Sequence, residues 1–167
     1  MSKTFTVTRK VTEDLIDNNN HMHDAYYNVI FSDVINEFNY SHGLSLKERE
    51  ESQFTVFTIE AHTTYLAELS LDQSFTVELY LYDYDYKRTH LFLRMLHENG
   101  TIAATNEVMM MGIDKNQRRS APFPEKYMEI IEAYDLEQEK IEWPKQIGHR
   151  IGCLLYTSPS PRDSWAS

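Results

Sequence analysis

The chain reads as an α+β protein in which one long, deeply buried helix is wrapped by a curved antiparallel sheet of about five strands, with a further helix near the C-terminal end. Three observations predict this class. A single stretch near the N-terminus carries a long helical repeat of apolar residues. A strand-like segment precedes it. Four segments with a two-residue period follow it, with no second long helix between them.

The elements can be justified in order. Thr4 to Thr12 sets Phe5, Val7 and Val11 two or four positions apart, a strand signal. Asp17-Asn18-Asn19-Asn20 suits a tight loop, because Asn tolerates left-handed backbone geometry better than any other non-glycine residue. Tyr27, Ile30, Phe31, Val34 and Phe38 then recur at i, i+3, i+4, i+7 and i+11 and define one helical face, which Val29 and Ile35 are expected to widen. Asp24 is the expected N-cap and Gly43 the expected stop, giving a helix from Asp24 to about Asn39. Leu44 to Ser52 is charged and reads as a loop or a short helical turn.

From Gln53 the period becomes two. Phe54–Leu66, Phe75–Tyr86, Thr89–Glu98 and Thr101–Ile113 are the four expected strands. In the second, Phe75, Val77, Leu79 and Leu81 share one face, and Tyr80, Tyr82, Tyr84 and Tyr86 the other. Asn99-Gly100 predicts a two-residue hairpin turn with positive φ. Pro122 and Pro124 close the sheet region, and Tyr127, Ile130, Ile131 and Tyr134 return to helical spacing. A strand, one buried helix and then a run of antiparallel strands is the hot-dog arrangement. Its sheet has an exposed edge that two-fold pairing can cover, so a homodimer, or a homotetramer built from dimers, is expected.

A length of 167 residues with 41% hydrophobic content suits one domain with one core, here residues 1–152. A net charge of −10 argues against non-specific binding to nucleic acid, whose phosphates dominate such affinity. Cys153 is the single cysteine, so no internal disulfide and no cysteine-built zinc site can form. The first ten residues lack a signal peptide's apolar core, and no apolar run reaches the length of a membrane span, so a cytoplasmic location is expected. Residues 153–167 shift abruptly to Ser, Pro and Arg; they resemble a translated adapter sequence or a short disordered tail, and Cys153 and Trp165 are set aside with them.

The informative stretch is Asp14 to Glu37, DLIDNNNHMHDAYYNVIFSDVINE. It resembles the signature of the 4-hydroxybenzoyl-CoA thioesterase-like family: an Asp, a turn with Gly-His, two polar residues, then a Tyr on the central helix. Asp17 falls at the catalytic carboxylate, His21 at the signature His and Tyr27 at the helix Tyr. Asn20 stands in place of the usual Gly, and His23-Asp24 in place of Asn-Asn. Three later segments, Glu60–Glu68, Lys87–Phe92 and Ala103–Glu107, are similar to thioesterases linked to carnitine breakdown, which include the betainyl-CoA type. The resemblance runs from about Thr4 to Tyr134.

It implies hydrolysis of a small acyl-CoA thioester to the free acid and CoA, with no metal and no organic cofactor. Such chemistry needs a nucleophile or a base that activates water, together with donors for the oxyanion. Asp17 is placed for the first role, acting directly or through water, and the N–H groups at the start of the following helix for the second. An Asp in an Asn-rich loop can also simply cap the turn. Glu60 is either a second acid or base or an ordinary exposed strand residue. His21-Met22-His23 could meet a metal ion only in extended backbone with a third ligand, which the sequence does not place. His21 and His23 are therefore read as pocket and loop residues. Lys87, Arg88 and Arg118 are candidates for the CoA phosphates. If the acyl group is a betaine, its quaternary ammonium calls for aromatic rings, for which Tyr26, Tyr27, Phe31 and Tyr65 are candidates; core packing is the competing role for Tyr27 and Phe31. A non-catalytic acyl-CoA-binding module and a hot-dog hydratase are the competing functions. The first would not need a carboxylate at Asp17, and the second usually carries a different His/Asp motif on the helix.

Overall fold

A computed structural model describes residues 3–153, so all of the tail except Cys153 lies outside the described range. The helical repeat forms α1 (Asp24–Ser41), which buries Tyr27, Ile30, Phe31, Val34, Ile35, Phe38 and Asn39. Each large side chain buried this way contributes about 1.5–3 kcal/mol, so this face anchors the domain. Val29 departs from expectation: it is 48% exposed and leaves the buried stripe. The N-cap is His23 and not Asp24, because the His23 ring nitrogen Nδ1 accepts the Ala25 N–H at 3.2 Å from an extended backbone. Asp24 becomes the first helical residue, and its carboxylate accepts the same N–H at 2.8 Å. Gly43 ends the helix as expected, at φ +93°, while the Leu44 N–H returns to the Asn39 carbonyl at 2.9 Å.

Leu44 to Ser52 contains more structure than its charge suggested. α2 (Leu46–Ser52) begins with a capping box, in which the Ser45 hydroxyl accepts the Glu48 N–H and the Glu48 carboxylate accepts the Ser45 N–H. The Ser-x-x-Glu spacing was the available signal.

The strands are β1 (Phe5–Lys10), β2 (Phe54–Tyr65), β3 (Ser74–Tyr84), β4 (Arg88–His97), β5 (Ile102–Asp114) and the two-residue β6 (Arg119–Ser120). They form one antiparallel sheet in the order β1-β3-β4-β5-β2, with β6 pairing β5, so β1 and β2 are its edges. Phe75, Val77, Leu79 and Leu81 are buried as expected. The tyrosine face does not continue along β3. A register shift between Leu81 and Asp83 reverses the alternation. Tyr80 and Tyr82 stay on the outer face, whereas Tyr84 packs against the core cluster and feels Glu132 and Asp135 from the C-terminal helix. The β4–β5 hairpin also differs from expectation, with three loop residues instead of two. Gly100 at φ +88° is the left-handed residue; the His97 carbonyl accepts the Gly100 N–H at 2.9 Å, and the Asn99 side chain accepts the Thr101 N–H at 2.9 Å.

α3 (Glu125–Glu137) buries Tyr127, Ile131 and Tyr134. It also completes the β3 edge where β1 stops. The Tyr134 hydroxyl donates to the Leu79 carbonyl at 2.6 Å and accepts the Phe5 N–H at 2.8 Å. Two residues further along, the Gln138 amide pairs with both the N–H and the carbonyl of Leu81, each at 2.8 Å. Beyond α3 the chain crosses the outer sheet face, where Trp143 meets Tyr80, Tyr82 and Phe92 edge-on. Among the described residues no helix is long and apolar enough to cross a membrane.

His42 carries a testable pH dependence. Its ring stacks on Phe38 at 4.0 Å between Phe5 and Tyr134, and burial holds its pKa below the ordinary value despite the Phe38 carbonyl beside Nδ1. The folded state therefore favours neutral His42, and the unfolded chain binds the extra proton. Stability is full above about pH 6.5, the unfolded value, and falls as the pH drops through the lower folded value. Thermal melts at pH 7.5, 6 and 5 should show that decline, and His42→Asn should flatten it. An unchanged slope in the variant would remove His42 as its source.

Candidate active site

The Asp17 loop is built by backbone geometry. Ile16 and Met22 form an antiparallel bridge, the Asp17 N–H donates to the His21 carbonyl at 2.9 Å, and the Asn20 N–H donates to the Asp17 carbonyl at 3.1 Å. This turn needs a left-handed residue, and Asn20 supplies it at φ +61°. The loop is tied to the segment before β3 by Met22 N–H to Leu69 carbonyl at 2.7 Å and Leu71 N–H to Asn20 carbonyl at 2.9 Å. The His21 ring nitrogen Nδ1 lies 3.4 Å from Glu68 Oε2 on the same side.

The Asp17 carboxylate is exposed, and its bonds are uneven. Oδ1 accepts the Asn19 N–H at 2.8 Å and the His21 N–H at 3.3 Å, whereas Oδ2 accepts no hydrogen bond among the described residues. The Asn19 N–H, opposed by partial desolvation and helped by the His21 N–H and nearby imidazoles, holds the carboxyl below the ordinary carboxylate range. α1 starts at Asp24, directly after the loop closed by the Ile16–Met22 bridge. There the Ala25 N–H is taken by the His23 and Asp24 side chains, and the Tyr26 N–H by the His23 carbonyl at 2.9 Å. The Asp24 N–H makes no hydrogen bond among the described residues.

The aromatic candidates separate by burial. Phe31 lies in the core. Tyr27 is also buried, with its hydroxyl accepting the Leu69 N–H at 3.3 Å and its ring edge-on to Tyr65 at 5.3 Å. Burial pushes the Tyr27 hydroxyl up to about 12, so it stays protonated. Tyr26 is part-exposed beside the His23 ring, and Tyr65 is half-buried on β2.

Glu60 does not converge with Asp17 within this chain. On β2 the residues Ala61, Thr63 and Tyr65 face α1, so Glu60 and His62 face outward. Glu60 lines a cleft of about 570 Å³ with His62, His90, Glu107 and His149. In that cleft His90 Nε2 lies 2.6 Å from Glu107 Oε2, and Glu107 Oε1 accepts the Gly148 N–H at 2.7 Å. The cationic candidates lie at the far end of the sheet. Arg88 is paired to Asp85 at 2.6 Å, Lys87 sits over the Tyr86 ring, and Arg118 occupies the exposed β5–β6 turn. β3 runs from Ser74, near the Asp17 loop, to Tyr84, just before the turn that carries Lys87; ten steps of strand cover roughly 30 Å. Among the described residues no three His, Cys, Asp or Glu side chains are placed to hold a metal ion.

Sequence reading missed Asn28, Thr63 and Asn106. They form a hydrogen-bonded chain with Tyr65 between α1 and the sheet. The available signal was a helix Asn four residues after Asp24, on the face that meets the alternating Thr63 and Tyr65 of β2.

One helix wrapped by a curled antiparallel sheet is the arrangement of the hot-dog thioesterases. The chain belongs to the thioesterase-like superfamily, whose family model matches residues 11–131. It is similar to the betainyl-CoA thioesterase of Pseudomonas aeruginosa, at 28% identity over 88% of this chain and 93% of that protein. It is also similar to the L-carnitine dehydrogenase/betainyl-CoA thioesterase of Agrobacterium fabrum, at 29% identity over 74% of this chain; the match spans only 25% of that longer protein. Among solved structures, the hypothetical protein SAV2348 of Staphylococcus aureus, described in complex with CoA, superposes with a TM-score of 0.90. It is 60% identical, covering 92% of this chain and 98% of that one.

Proposed function

We propose that this protein hydrolyses a small acyl-CoA thioester, with Asp17 as the nucleophile or as the base that activates water. The observation that carries this reading is the pairing of an exposed carboxylate, kept ionised by backbone N–H groups, with an uncommitted Asp24 N–H at the entrance of α1. Oδ2 is the oxygen with its lone pairs free for attack. Attack on the thioester carbon moves charge onto the carbonyl oxygen, where the Asp24 N–H and the positive end of α1 stabilise it. Collapse of the tetrahedral species expels the CoA thiolate. The resulting mixed anhydride is cleaved by water and returns Asp17. In the alternative route Asp17 takes a proton from water, which attacks in its place. The CoA ester is supported by the family and by the CoA complex of the staphylococcal relative. A betainyl group and a place in carnitine breakdown are suggested by the names of the two curated relatives, and Tyr26 is the part-exposed ring available to meet its ammonium.

The test is thiol release from a panel of betainyl-, short-chain and aryl-CoA esters. Turnover of at least one ester supports the reading, and the preferred ester assigns the acyl group. Saturable binding of CoA esters with no thiol release from any of them would overturn it in favour of a binding module.

The reading includes a homodimer formed by antiparallel pairing of β2 with β2 of a second copy. Phe57 and Ile59 on this edge strand are 52% and 50% exposed, which favours burial against a partner. A two-fold axis through β2 reverses the second sheet, so the partner's Arg118 end lies at the end of this chain that carries Asp17. That supplies cations which this chain holds roughly 30 Å away. Light scattering should give a dimer for the wild type and mostly monomer for Phe57→Asp, with thiol release reduced at least about tenfold. A fully active wild-type monomer would end this part of the proposal.

A further inference from the structure

We infer that Tyr65 is a positioning residue that, through Asn28, Thr63 and Asn106, fixes the first turn of α1 against the sheet and thereby the place of the Asp24 N–H. The inference rests on the thioesterase reading above.

The geometry is a single file of hydrogen bonds with one allowed direction. Asn106 is buried on β5, inside the sheet, and its Nδ2 donates to Thr63 Oγ1 on β2 at 2.9 Å. The Thr63 hydroxyl donates to Asn28 Oδ1 on α1 at 2.6 Å. Asn28 Nδ2 donates to the Tyr65 hydroxyl at 3.0 Å, and that hydroxyl donates to the Asp24 carbonyl at 3.1 Å. Asn28 uses its oxygen and its nitrogen in different links, so its amide has one orientation. Thr63 and Tyr65 each have one O–H to donate, and each spends it in the file. The file begins on an amide, passes through a second and ends on a backbone carbonyl, groups that do not hand protons on, so its role is positional. It transmits position from a buried residue of an interior strand to a helix terminus.

Helix first turns are the part of a helix with fewest internal bonds. Here the first turn carries the proposed oxyanion donor and stands next to the Asp17 loop. The loop and the turn share one backbone bond, from the His23 N–H to the Leu15 carbonyl at 2.9 Å. The Tyr65 hydroxyl adds the bond that comes from the sheet. A misplacement of about 1 Å at such a donor costs on the order of a hundredfold in rate.

The test uses Tyr65→Phe, which keeps the ring against Tyr27 and removes only the hydroxyl, together with Thr63→Val and Thr63→Ser. Tyr65→Phe should lower kcat about 10- to 100-fold with KM within about threefold, because the lost precision acts on the transition state. Thr63→Val should do the same, Thr63→Ser should restore kcat, and Tyr65→Phe with Thr63→Val should be no worse than the worse single variant. Hydrogen exchange of the Ala25 and Tyr26 amides, which are bonded in the first turn, should quicken at least about tenfold in Tyr65→Phe, a readout that does not need turnover. Unchanged kcat and unchanged exchange would overturn the proposal. A raised KM at constant kcat would also overturn it, because Tyr65 would then be binding substrate. If the wild type releases no thiol, the thioesterase reading fails separately, and the exchange measurement still decides whether Tyr65 anchors the turn.

Discussion

Asp17→Asn should lower kcat for thioester hydrolysis at least about a hundredfold while leaving KM and the melting temperature nearly unchanged. The substitution keeps an oxygen at Oδ1 for the Asn19 and His21 N–H groups, so the loop retains its bonds. What disappears is the charge, and with it both nucleophilic and basic character at Oδ2. The sign of the pH dependence follows from the same bonds. The carboxyl is held below the ordinary carboxylate range, so Asp17 stays ionised, and its contribution to rate stays flat, from pH 8 down to about pH 5. A kcat that falls through pH 6–7 with the fold intact would point to an imidazole instead. Near-normal turnover in Asp17→Asn would remove Asp17 from the chemistry altogether.

Phe38→Ala should be the most damaging single change to stability, at about 3–5 kcal/mol. Phe38 is fully buried and is the ring on which three elements meet. Phe5 of β1 lies edge-on at 5.6 Å, Tyr134 of α3 edge-on at 4.9 Å, and His42 stacks at 4.0 Å. Truncation leaves a cavity at a junction that cannot collapse, because each neighbour is also held by hydrogen bonds to backbone: Phe5 N–H to Tyr134, Tyr134 to Leu79, and His42 to Phe38. At about 2–4 °C per kcal/mol for a chain of this size, the melting temperature should fall by roughly 6–20 °C. The activity of the molecules that remain folded should be near normal, since Phe38 sits about 21 Å along α1 from Asp24. A loss under about 1 kcal/mol in urea titration would contradict the central place given to this ring.

The two effects come from parts of the chain that differ in how openly they announce themselves. The buried face of α1 was readable from Tyr27, Ile30, Phe31, Val34 and Phe38, because helical spacing is a local property. Asn20 at a left-handed position and Gly43 after α1 were readable for the same reason, since each satisfies a backbone demand within its own turn. The likeness of Asp17–Tyr27 to a family signature pointed to the carboxylate, and the structure adds which of its oxygens is bonded and which is not.

Other features depend on partners distant in sequence. Tyr84 could not be assigned to a face without the register of β3 against β4, because one extra residue at the Leu81–Asp83 shift reverses every side chain after it. Within this chain Glu60 turns away from α1 because β2 pairs β5 with Thr63 and Tyr65 on the α1 side. Lys87, Arg88 and Arg118 read as neighbours of a CoA ester by charge alone, yet the length of β3 sets them at the other end of the sheet. The Asn106–Thr63–Asn28–Tyr65 file joins three elements that meet only once the sheet has curled around the helix.

By itself, then, the sequence determined the fold class, the buried helix face, the turn residues and the identity of the carboxylate to examine. The first three rest on periodicity or on the backbone preference of single residues, which act over a few positions, and the carboxylate was singled out by its likeness to a family signature. Only the tertiary structure decided which face each strand residue occupies, what caps α1, and which groups stand beside Asp17. The strand faces and the anchoring of α1 rest on register and on hydrogen bonds between residues 35 or more positions apart, which no local pattern encodes, whereas the cap of α1 and the bonds to Asp17 are local contacts whose choice of partner depends on the folded geometry.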